Sequence, residues 1–287
     1  MHGKVNLILT SPPYPLAAPK KYGNMVGEEY KDWIVKICQD LGPLLAKDGS
    51  LVLEIGNAWD KGQPTMSLLP FKTLLAIAER ADYHVCQQFI WENIAKLPGP
   101  APWVTIQRIR LKDSHTNLWW YSKSLKPKAN NKAVLTPYKS GQQKLMERGS
   151  YNSGARPSEH IISSEGFVTD NGGAIRGSTL NVQSDQSLES VIRMSNTQRD
   201  KGYYEWCRDN SLVMHPARMP VDLAKLFIEF LTNPNDLVLD PFGGSCTTGQ
   251  AAEQLGRQWV AIELDPDYLE GAIGRFESVR RAPSRRT

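Results

Sequence analysis

The feature that most constrains the fold of this chain is the alternation of two kinds of apolar pattern. Short, continuous apolar runs are typical of buried strands, and apolar residues that recur every three or four positions are typical of a helix that buries one face. The strand-like runs lie at residues 5–9, 50–55, 85–91, 118–122, 237–239 and 259–263, and the helical patterns at 30–45, 69–81, 220–231 and 247–255. Strands that alternate with helices predict an α/β fold with an open, mostly parallel sheet, whose ligands bind beyond the carboxyl ends of the strands.

The middle of the chain has a different composition. From residue 126 to residue 210, Asn, Ser, Gly, Arg and Gln are frequent and apolar runs are few. This stretch is a loop-rich insertion or a flexible region, and disorder is an alternative for residues 141–150. The sequence therefore divides into two patterned parts, 1–125 and 211–287, on either side of a polar one.

The charge of the chain permits a nucleic-acid partner without proving one. Lys and Arg number 34 against 30 Asp and Glu, which gives a net charge of +4 and a pI of about 8.8. One basic cluster, Arg108, Arg110 and Lys112, lies mid-chain. A second crowds the C-terminus, where we interpret it as a solvated tail slightly ahead of a phosphate contact. Its members are Arg275, Arg280, Arg281, Arg285 and Arg286.

Several classes of protein are disfavoured by what the sequence lacks. The apolar runs are too short to cross a bilayer, and the N-terminus lacks the apolar core and cleavage site of a signal peptide, so we expect a cytoplasmic protein without a membrane partner. The four cysteines lie far apart and the five histidines show no ligand spacing. We therefore expect free thiols, no disulfide framework and no metal site.

The first motif with chemical content is Thr-Ser-Pro-Pro-Tyr at residues 10–14, directly after the first predicted strand. A proline-rich turn that ends a strand is one interpretation. The other starts from the prolines, which lack N–H donors and fix the chain, so that the Pro12 carbonyl and the Ser11 hydroxyl are left to accept hydrogen bonds. Those acceptors suit the hydrogens of an exocyclic amino group, and Tyr14 offers a ring for stacking on a base taken out of the helix. The motif thus indicates direct transfer to a base amine, driven mainly by positioning.

The second motif is a glycine-rich turn at residues 240–249, Asp-Pro-Phe-Gly-Gly-Ser-Cys-Thr-Thr-Gly, which follows a predicted strand and opens a helix. Glycines let the backbone come close to a ligand, and Glu263, roughly 20 residues on, is placed to bind ribose hydroxyls. The sequence lacks Gly-x-Gly-x-x-Gly, which disfavours NAD, and Gly-Lys-Ser/Thr, which argues against a phosphate-binding loop for ATP. A nucleoside without phosphates, such as S-adenosylmethionine, fits better.

With the first motif near the start of the chain and the second near its end, the sequence resembles the β-class amino-methyltransferases of DNA. These enzymes are circularly permuted, so that the catalytic motif precedes the cofactor motif. The resemblance is strongest to the N4-cytosine members and covers nearly the whole chain. It extends through short motifs at residues 21–24, 96–98, 119–123, 170–173 and 215–218.

The resemblance implies a fold and a reaction. The fold would be the Rossmann-like S-adenosylmethionine-dependent methyltransferase fold, circularly permuted, with residues 1–125 as its catalytic half, 211–287 as its cofactor-binding half and a loop-rich target-recognition region at 126–210. The reaction would be the transfer of a methyl group from S-adenosylmethionine to N4 of cytosine in duplex DNA. A monomer or weak dimer is expected, in a restriction–modification system with a cognate restriction endonuclease.

The resemblance also implies roles for particular residues. The catalytic loop would consist of Ser11, Pro12, Pro13 and Tyr14. The cofactor would be held by the second motif, by the acid at the ribose, and by the segment 215–218 at the methionine end. These cofactor-binding residues are Asp240, Phe242, Gly243, Gly244, Ser245, Thr247, Glu263, His215, Pro216 and Arg218. Taken alone, His215 is better interpreted as a histidine in a turn.

Other functions stay open at this point. In the family, Ser before the two prolines tends to accompany cytosine N4 and Asp tends to accompany adenine N6, so adenine N6 is the nearest alternative target. Methylation of RNA is a second alternative, and a DNA-binding protein that has lost catalysis is a third.

The sequence departs from the family in two places. Relatives usually carry an acidic residue near the cofactor adenine, in a segment before the catalytic strand. This sequence starts at Met1, almost on that strand, so we expect the contact to be missing. Cys246 stands where relatives often have Gly or Asn, and because it is small we expect it to be tolerated.

Overall fold

The computed structural model describes residues 1–15, 25–93, 96–151, 153–162, 168–181 and 200–276. The chain forms two compact units, one of residues 1–129 with 178–287 and the other of residues 130–177. The predicted motif at residues 21–24 and the arginines from 280 to 286 lie outside the described residues.

The first unit is built on one sheet. The strands of the described residues are β1 (Val5–Thr10), β2 (Leu45–Gly56), β3 (His84–Glu92), β4 (His115–Ser122), β5 (Gly154–Ala155), β6 (Ile161–Ile162), β7 (Thr179–Asn181), β8 (Leu237–Asp240) and β9 (Gln258–Ala261). Seven of these described strands form the sheet, in the order β7-β3-β4-β2-β1-β8-β9. Strand β4 is antiparallel to both neighbours, and the other six share one direction. The prediction of an open, mostly parallel sheet is confirmed.

Helices connect the strands. Those of the described residues are α1 (Gly27–Leu41), α2 (Leu69–Arg80), α3 (Ser140–Arg148), α4 (Lys201–Asp209), α5 (Val221–Leu231), α6 (Thr247–Gln254) and α7 (Pro266–Ala272). In the part of the chain that is described, none of them is long and apolar enough to span a bilayer.

The core of the first unit lies on both faces of the sheet because side chains along β1 alternate. Ile8 packs into one layer, with Ile34 of α1 and Ile77 of α2. Leu7 and Leu9 pack into the other layer, with residues of α5 and α6. Burial of one such side chain stabilises the fold by roughly 1.5–3 kcal/mol, so helices on both faces hold the central strand in place.

The first and one of the last strands of the chain are neighbours. Val5 of β1 pairs with Leu237 of β8, and Ile8 pairs with Leu239. On its other side β1 pairs with β2. The strands β1, β2, β3, β8 and β9 therefore end along one side of the sheet, which we term the carboxyl edge. This arrangement confirms the permuted order, in which the two termini of the chain supply adjacent central strands.

Three predicted element boundaries are wrong. The helix predicted over residues 30–45 ends at Leu41, because Pro43 has no N–H with which to continue the helical hydrogen bonds. Strand β2 then begins at Leu45 rather than at residue 50. The last predicted strand ends at Ala261, so Glu263 lies in the loop beyond it.

The second unit, residues 130–177, contains α3 and a ribbon of the two short strands β5 and β6. The helix covers most of the stretch 141–150, for which disorder was an alternative. It ends at Gly149, whose φ of +66° is the left-handed conformation that commonly closes a helix. The predicted target-recognition region, 126–210, is wider than this unit, because β7 and α4 belong to the first unit. Its role in recognition stays a prediction.

Candidate functional site

The predicted catalytic loop leaves β1 at the carboxyl edge and folds against the neighbouring strand. The Tyr14 hydroxyl donates a hydrogen bond of 2.7 Å to the Glu54 carboxylate on β2, and the Ser11 side chain lies close enough to the same carboxylate to lower its pKa. The Tyr14 ring lies so close to Gly56 that a Cβ there would come within 2.4 Å of it. Pro12 is buried, whereas Ser11 and Tyr14 are partly exposed. The loop therefore presents a hydroxyl and an aromatic ring from a fixed backbone.

The acid that contacts this loop, Glu54 of β2, is buried. Burial raises the pKa of the Glu54 carboxyl, although the hydrogen bond from Tyr14 and the neighbouring Ser11 side chain oppose the shift. Burial beside that carboxylate also holds the pKa of Tyr14 well above its ordinary value. The phenol consequently keeps its proton and acts as the donor in its bond to Glu54.

The glycine-rich turn starts at Asp240, whose side chain reaches across to the catalytic strand. Asp240 Oδ1 accepts a hydrogen bond of 2.6 Å from Thr10 Oγ1 and one of 3.1 Å from the Phe242 N–H. Thr10 is the residue directly before Ser11. Asp240 is buried, and this burial raises the pKa of its carboxyl. One carboxylate therefore joins the first motif to the second.

The two glycines of the turn have close neighbours. The Gly243 N–H donates to the Ile262 carbonyl at 2.7 Å, and the Gly244 N–H donates to Glu263 Oε2 at 2.7 Å. Gly244 has a φ of +50°, and a Cβ on it would lie 3.1 Å from His215 Nε2. The other Glu263 oxygen accepts the two following backbone N–H groups. The turn therefore offers its bare backbone, rather than side chains, to a ligand.

The predicted segment 215–218 packs against this turn. The His215 ring meets Tyr268 edge-on, with 4.6 Å between the ring centroids, and its backbone N–H donates to the Tyr203 hydroxyl at 2.8 Å. Burial lowers the pKa of His215, which favours the neutral imidazole. Pro216 is exposed, and its contact with a cofactor stays a prediction.

A buried carboxylate, Asp200, links that segment to the turn. Arg218 Nε donates to Asp200 Oδ2 at 3.0 Å, and Arg275 Nη1 donates to Asp200 Oδ1 at 2.6 Å. Arg218 also donates to the His215 carbonyl, at 2.7 Å. Arg275 donates to the Ser245 carbonyl and, at 2.8 Å, to the Ser245 hydroxyl. The interpretation of Arg275 as part of a solvated tail is wrong, because its guanidinium is buried in this network.

The other residues of the second motif also lie at the carboxyl edge. Phe242 meets Trp33 of α1 edge-on, with 5.6 Å between ring centroids. The Ser245 and Thr247 hydroxyl oxygens are buried 3.4 Å apart. Cys246 has a φ of +58°, a left-handed conformation that Gly and Asn adopt more easily than other residues. The fold thus accommodates a cysteine at a position whose backbone favours the residues that relatives use.

Comparison with known proteins agrees with this arrangement. A family model described as DNA methylase, N6_N4_Mtase, matches residues 5–274. The chain belongs to this family of DNA methylases. The Type II methyltransferase M.PvuII of Proteus hauseri is 37% identical to the methylase over 274 residues, which cover 95% of this chain and 78% of that protein.

Two further comparisons concern a solved structure and a second methyltransferase sequence. The solved structure of the PvuII DNA methyltransferase (cytosine-N4-specific) matches it with a TM-score of 0.71 at 30% identity, covering 97% of this chain and 84% of that one. The DNA adenine methyltransferase YhdJ of Escherichia coli (strain K12) is 41% identical over 63 residues, which cover 22% of this chain and 21% of that protein. The predicted family and the Rossmann-like methyltransferase fold are confirmed.

Three residues that build this site of the methylase were not predicted to do so. Glu54 left a signal, since it is an acid inside an apolar strand run. Asp200 lies in the polar stretch, where no pattern marks it, and Arg275 was grouped with other arginines near the C-terminus. Among the described residues, no group of three or more His, Cys, Asp or Glu side chains is arranged to hold a metal ion.

The raised pKa of Glu54 predicts a pH-dependent stability. The folded state binds the Glu54 proton more tightly than the unfolded chain does, so this group favours the fold increasingly as the pH falls. We expect Glu54→Gln, which resembles the protonated side chain, to be more stable than wild type near neutral pH. The difference should close as the pH falls below about 4.3, the ordinary pKa of Glu. Urea unfolding at several pH values measures this difference in stability. The control is Glu79→Gln, which changes an exposed residue.

If the difference in the free energy of unfolding between Glu54→Gln and wild type stays constant across pH, the charge of the Glu54 carboxylate is not its cause.

The Asp200 network predicts a large loss of stability on removal of its one negative charge. Asp200→Asn keeps the shape of the side chain but removes the acid that pairs with both the Arg218 and the Arg275 guanidinium groups. We expect urea unfolding to show a loss of about 3 kcal/mol. The matched control is Asp209→Asn, which removes the exposed partner of Arg208 and should change stability by less than about 0.5 kcal/mol. Equal, small effects of both substitutions would contradict a structural role for Asp200.

Proposed function

We propose that this DNA methylase transfers a methyl group from S-adenosylmethionine to the exocyclic N4 of cytosine in duplex DNA. The observation that carries the proposal is the junction at Thr10 and Asp240, which sets the Ser-Pro-Pro-Tyr loop beside the glycine-rich turn. A site for amine methylation needs those two parts next to each other, because the methyl group passes directly from one bound molecule to the other.

The glycine-rich turn suits the cofactor. S-adenosylmethionine, when bound, supplies a methyl group activated by a sulfonium charge. The close packing at Gly243 and Gly244 leaves backbone rather than side chains for the nucleoside to lie against. Glu263 Oε2 accepts one backbone N–H and has a second lone pair for a ribose hydroxyl. His215 and Arg218 lie on the side where we place the methionine end.

The catalytic loop suits an amino group on a base. The Ser11 hydroxyl and the Pro12 carbonyl would accept the two amino hydrogens, and Tyr14 would stack on the extruded base. The nitrogen must lose one proton as it gains a carbon. The Ser11 hydroxyl, which lies near the buried Glu54 carboxylate, would pass that proton to Glu54. Its raised pKa makes Glu54 a suitable acceptor.

Cytosine N4 is favoured over adenine N6 by two observations. The residue before the two prolines is Ser11, and two relatives that match most of the chain at 30% identity or more are M.PvuII and the PvuII enzyme named as cytosine-N4-specific. The similarity to the adenine methyltransferase YhdJ covers 22% of the chain.

The test of this proposal is incubation with labelled S-adenosylmethionine and unmethylated duplex DNA, followed by mass spectrometry of the nucleosides. We expect N4-methylcytosine. N6-methyladenine as the only product would refute the choice of base. Preferential labelling of RNA in a competition between RNA and duplex DNA would refute the choice of substrate.

We also infer the setting of the enzyme. M.PvuII is named a Type II methyltransferase, which supports a cytoplasmic modification enzyme paired with a restriction endonuclease. We further infer that the enzyme acts as a monomer or weak dimer. Protection of plasmid DNA from an endonuclease of the same specificity, and the mass of the enzyme in solution, test these two inferences.

Removal of the Ser11 hydroxyl should separate catalysis from cofactor binding. We expect Ser11→Ala to lower kcat by about a hundredfold or more, because an acceptor at the reacting amine is lost. The dissociation constant for S-adenosylmethionine, measured by calorimetry, should stay within about twofold of wild type, since Ser11 is not part of the turn. Ser124→Ala, beyond the end of β4 at the opposite side of the sheet, is the control. Full activity of Ser11→Ala would contradict the assigned role.

Removal of the Asp240 carboxylate should instead weaken the binding of the cofactor. Asp240→Ala deprives the Phe242 N–H and the Thr10 hydroxyl of their acceptor, and each unsatisfied buried group costs about 1–3 kcal/mol. We expect calorimetry to show an affinity for S-adenosylmethionine at least about tenfold weaker. Asp40→Ala, an exposed acid on α1, is the control. An unchanged dissociation constant in Asp240→Ala would count against the assignment of the turn to the cofactor.

A further inference from the structure

The loop between β3 and β4 is basic and leaves the sheet at the carboxyl edge. Residues 93–112 contain no Asp or Glu, and the cations Lys96, Arg108, Arg110 and Lys112 all lie in this stretch. The two arginines and Lys112 are exposed. A run of cations without any anion is the charge pattern that complements a phosphate backbone.

The same loop exposes large apolar side chains. The exposed fractions of Leu97, Ile106 and Leu111 are 83%, 74% and 91%. Apolar residues of this size, gathered on one loop and surrounded by cations, mark a contact surface rather than ordinary scatter. Leu and Ile are also among the residues that proteins insert between base steps.

The loop has a defined conformation that holds these side chains out. Residues Pro102–Ile106 form a single wide helical turn. The Ile109 N–H then returns to the Trp103 carbonyl at 2.9 Å, and the Arg110 side chain donates to the Pro64 carbonyl at 2.9 Å. These two bonds fix the conformation of the loop in which the apolar side chains are exposed.

The base of the loop is joined to the catalytic residues. Lys96 Nζ donates to Asp113 Oδ2 at 2.6 Å, and Asn57 Nδ2 donates to Asp113 Oδ1 at 3.0 Å. Asn57 directly follows Gly56, the glycine against which the Tyr14 ring lies. The loop is therefore anchored beside the place where a target base would be held, on the side away from the cofactor turn.

We propose that the loop of residues 96–112 docks on duplex DNA next to the target base. Its exposed cations, Arg108 and Lys112, contact backbone phosphates, and one of its exposed apolar side chains enters the base stack at the place that the extruded base leaves. These apolar side chains, which we term the apolar group, are Leu97, Ile106 and Leu111. This inference rests on the proposed function, because it takes duplex DNA as the substrate.

The first test measures the phosphate contacts without catalysis. Binding of a fluorescein-labelled duplex is followed by anisotropy over a range of salt concentrations, for wild type and for the double variant Arg108→Gln with Lys112→Gln. Each phosphate contact contributes about 0.9 to the slope of log K against log salt. We expect the slope of the double variant to be smaller by about 2. The control, Lys4→Gln with Lys47→Gln, removes the same charge from the opposite side of the sheet and should keep the wild-type slope.

The second test measures the contribution of the apolar group. The double variant Ile106→Ala with Leu111→Ala is compared with Leu75→Ala and Leu125→Ala combined, whose side chains are exposed by 52% and 82% away from this loop. The substrate is a duplex of the sequence that the wild type methylates, with the target base either paired or opposite an abasic site. On the paired duplex we expect the loop variant to lose on the order of tenfold in turnover. On the duplex whose target is already unpaired it should match wild type, and the control should match wild type on both.

Three results would overturn the proposal. They are a wild-type salt slope in the double cation variant, an equal loss of turnover on both duplexes in the apolar variant, and loop-dependent binding to phosphatidylserine vesicles without any change in DNA binding. A wild-type enzyme that binds duplex DNA but methylates no base contradicts the proposed function alone. The salt slope still tests the loop in that case, because it is measured on binding.

Discussion

The hydrogen bond from Thr10 to Asp240 is the contact on which the site depends. It joins residues 230 positions apart in the sequence, at the point where two adjacent parallel strands both end. Because the bond is buried, its geometry is not loosened by water, and loss of either partner leaves a polar group unsatisfied. The residue after Thr10 opens the catalytic loop and the residue after Asp240 opens the glycine-rich turn. One contact therefore sets the spacing between the predicted catalytic loop and the predicted cofactor-binding turn.

A second constraint fixes the far side of the cofactor turn. Asp200 carries one negative charge between the positive charges of Arg218 and Arg275, all largely withdrawn from water. Charges in such a place are stable only when paired and hydrogen-bonded, so the three side chains must hold each other's positions. Arg275 reaches Ser245 in the turn and Arg218 reaches the backbone of His215. Ion pairs through Asp200 therefore join the segment 215–218 to the glycine-rich turn. By contrast, a hydrogen bond from the neutral Thr10 hydroxyl joins that turn to strand β1.

The sequence was sufficient to predict most of the strands and helices and the two motifs. It was insufficient to predict the side-chain contacts that hold the two motifs together. Alternating apolar patterns predict β1, α2 and α5 because each buries a face that is visible in the local sequence. Asp200 and Arg275 could not be predicted as a pair, since burial of a charge depends on tertiary neighbours that no local pattern records. Glu54 is intermediate: an acid within a buried strand run is a local signal of function, but its partners Tyr14 and Ser11 are defined only by the pairing of β1 with β2. The left-handed backbone conformation of Cys246, with a φ of +58°, likewise could not be predicted from the local sequence.

The order of strands in the sheet, rather than their order in the chain, arranges the parts of the site. Along the carboxyl edge the glycine-rich turn follows β8, the catalytic loop follows β1, Glu54 and Asn57 lie at the end of β2, and the loop 96–112 joins β3 to β4. Each part touches the next: Asp240 binds Thr10, Tyr14 binds Glu54, and Asn57 binds Asp113. A permutation that moves the chain termini leaves every one of these neighbours in place, because neighbours in a sheet are set by strand pairing. The permuted chain therefore keeps all three contacts, and none of the three involves residues 130–177.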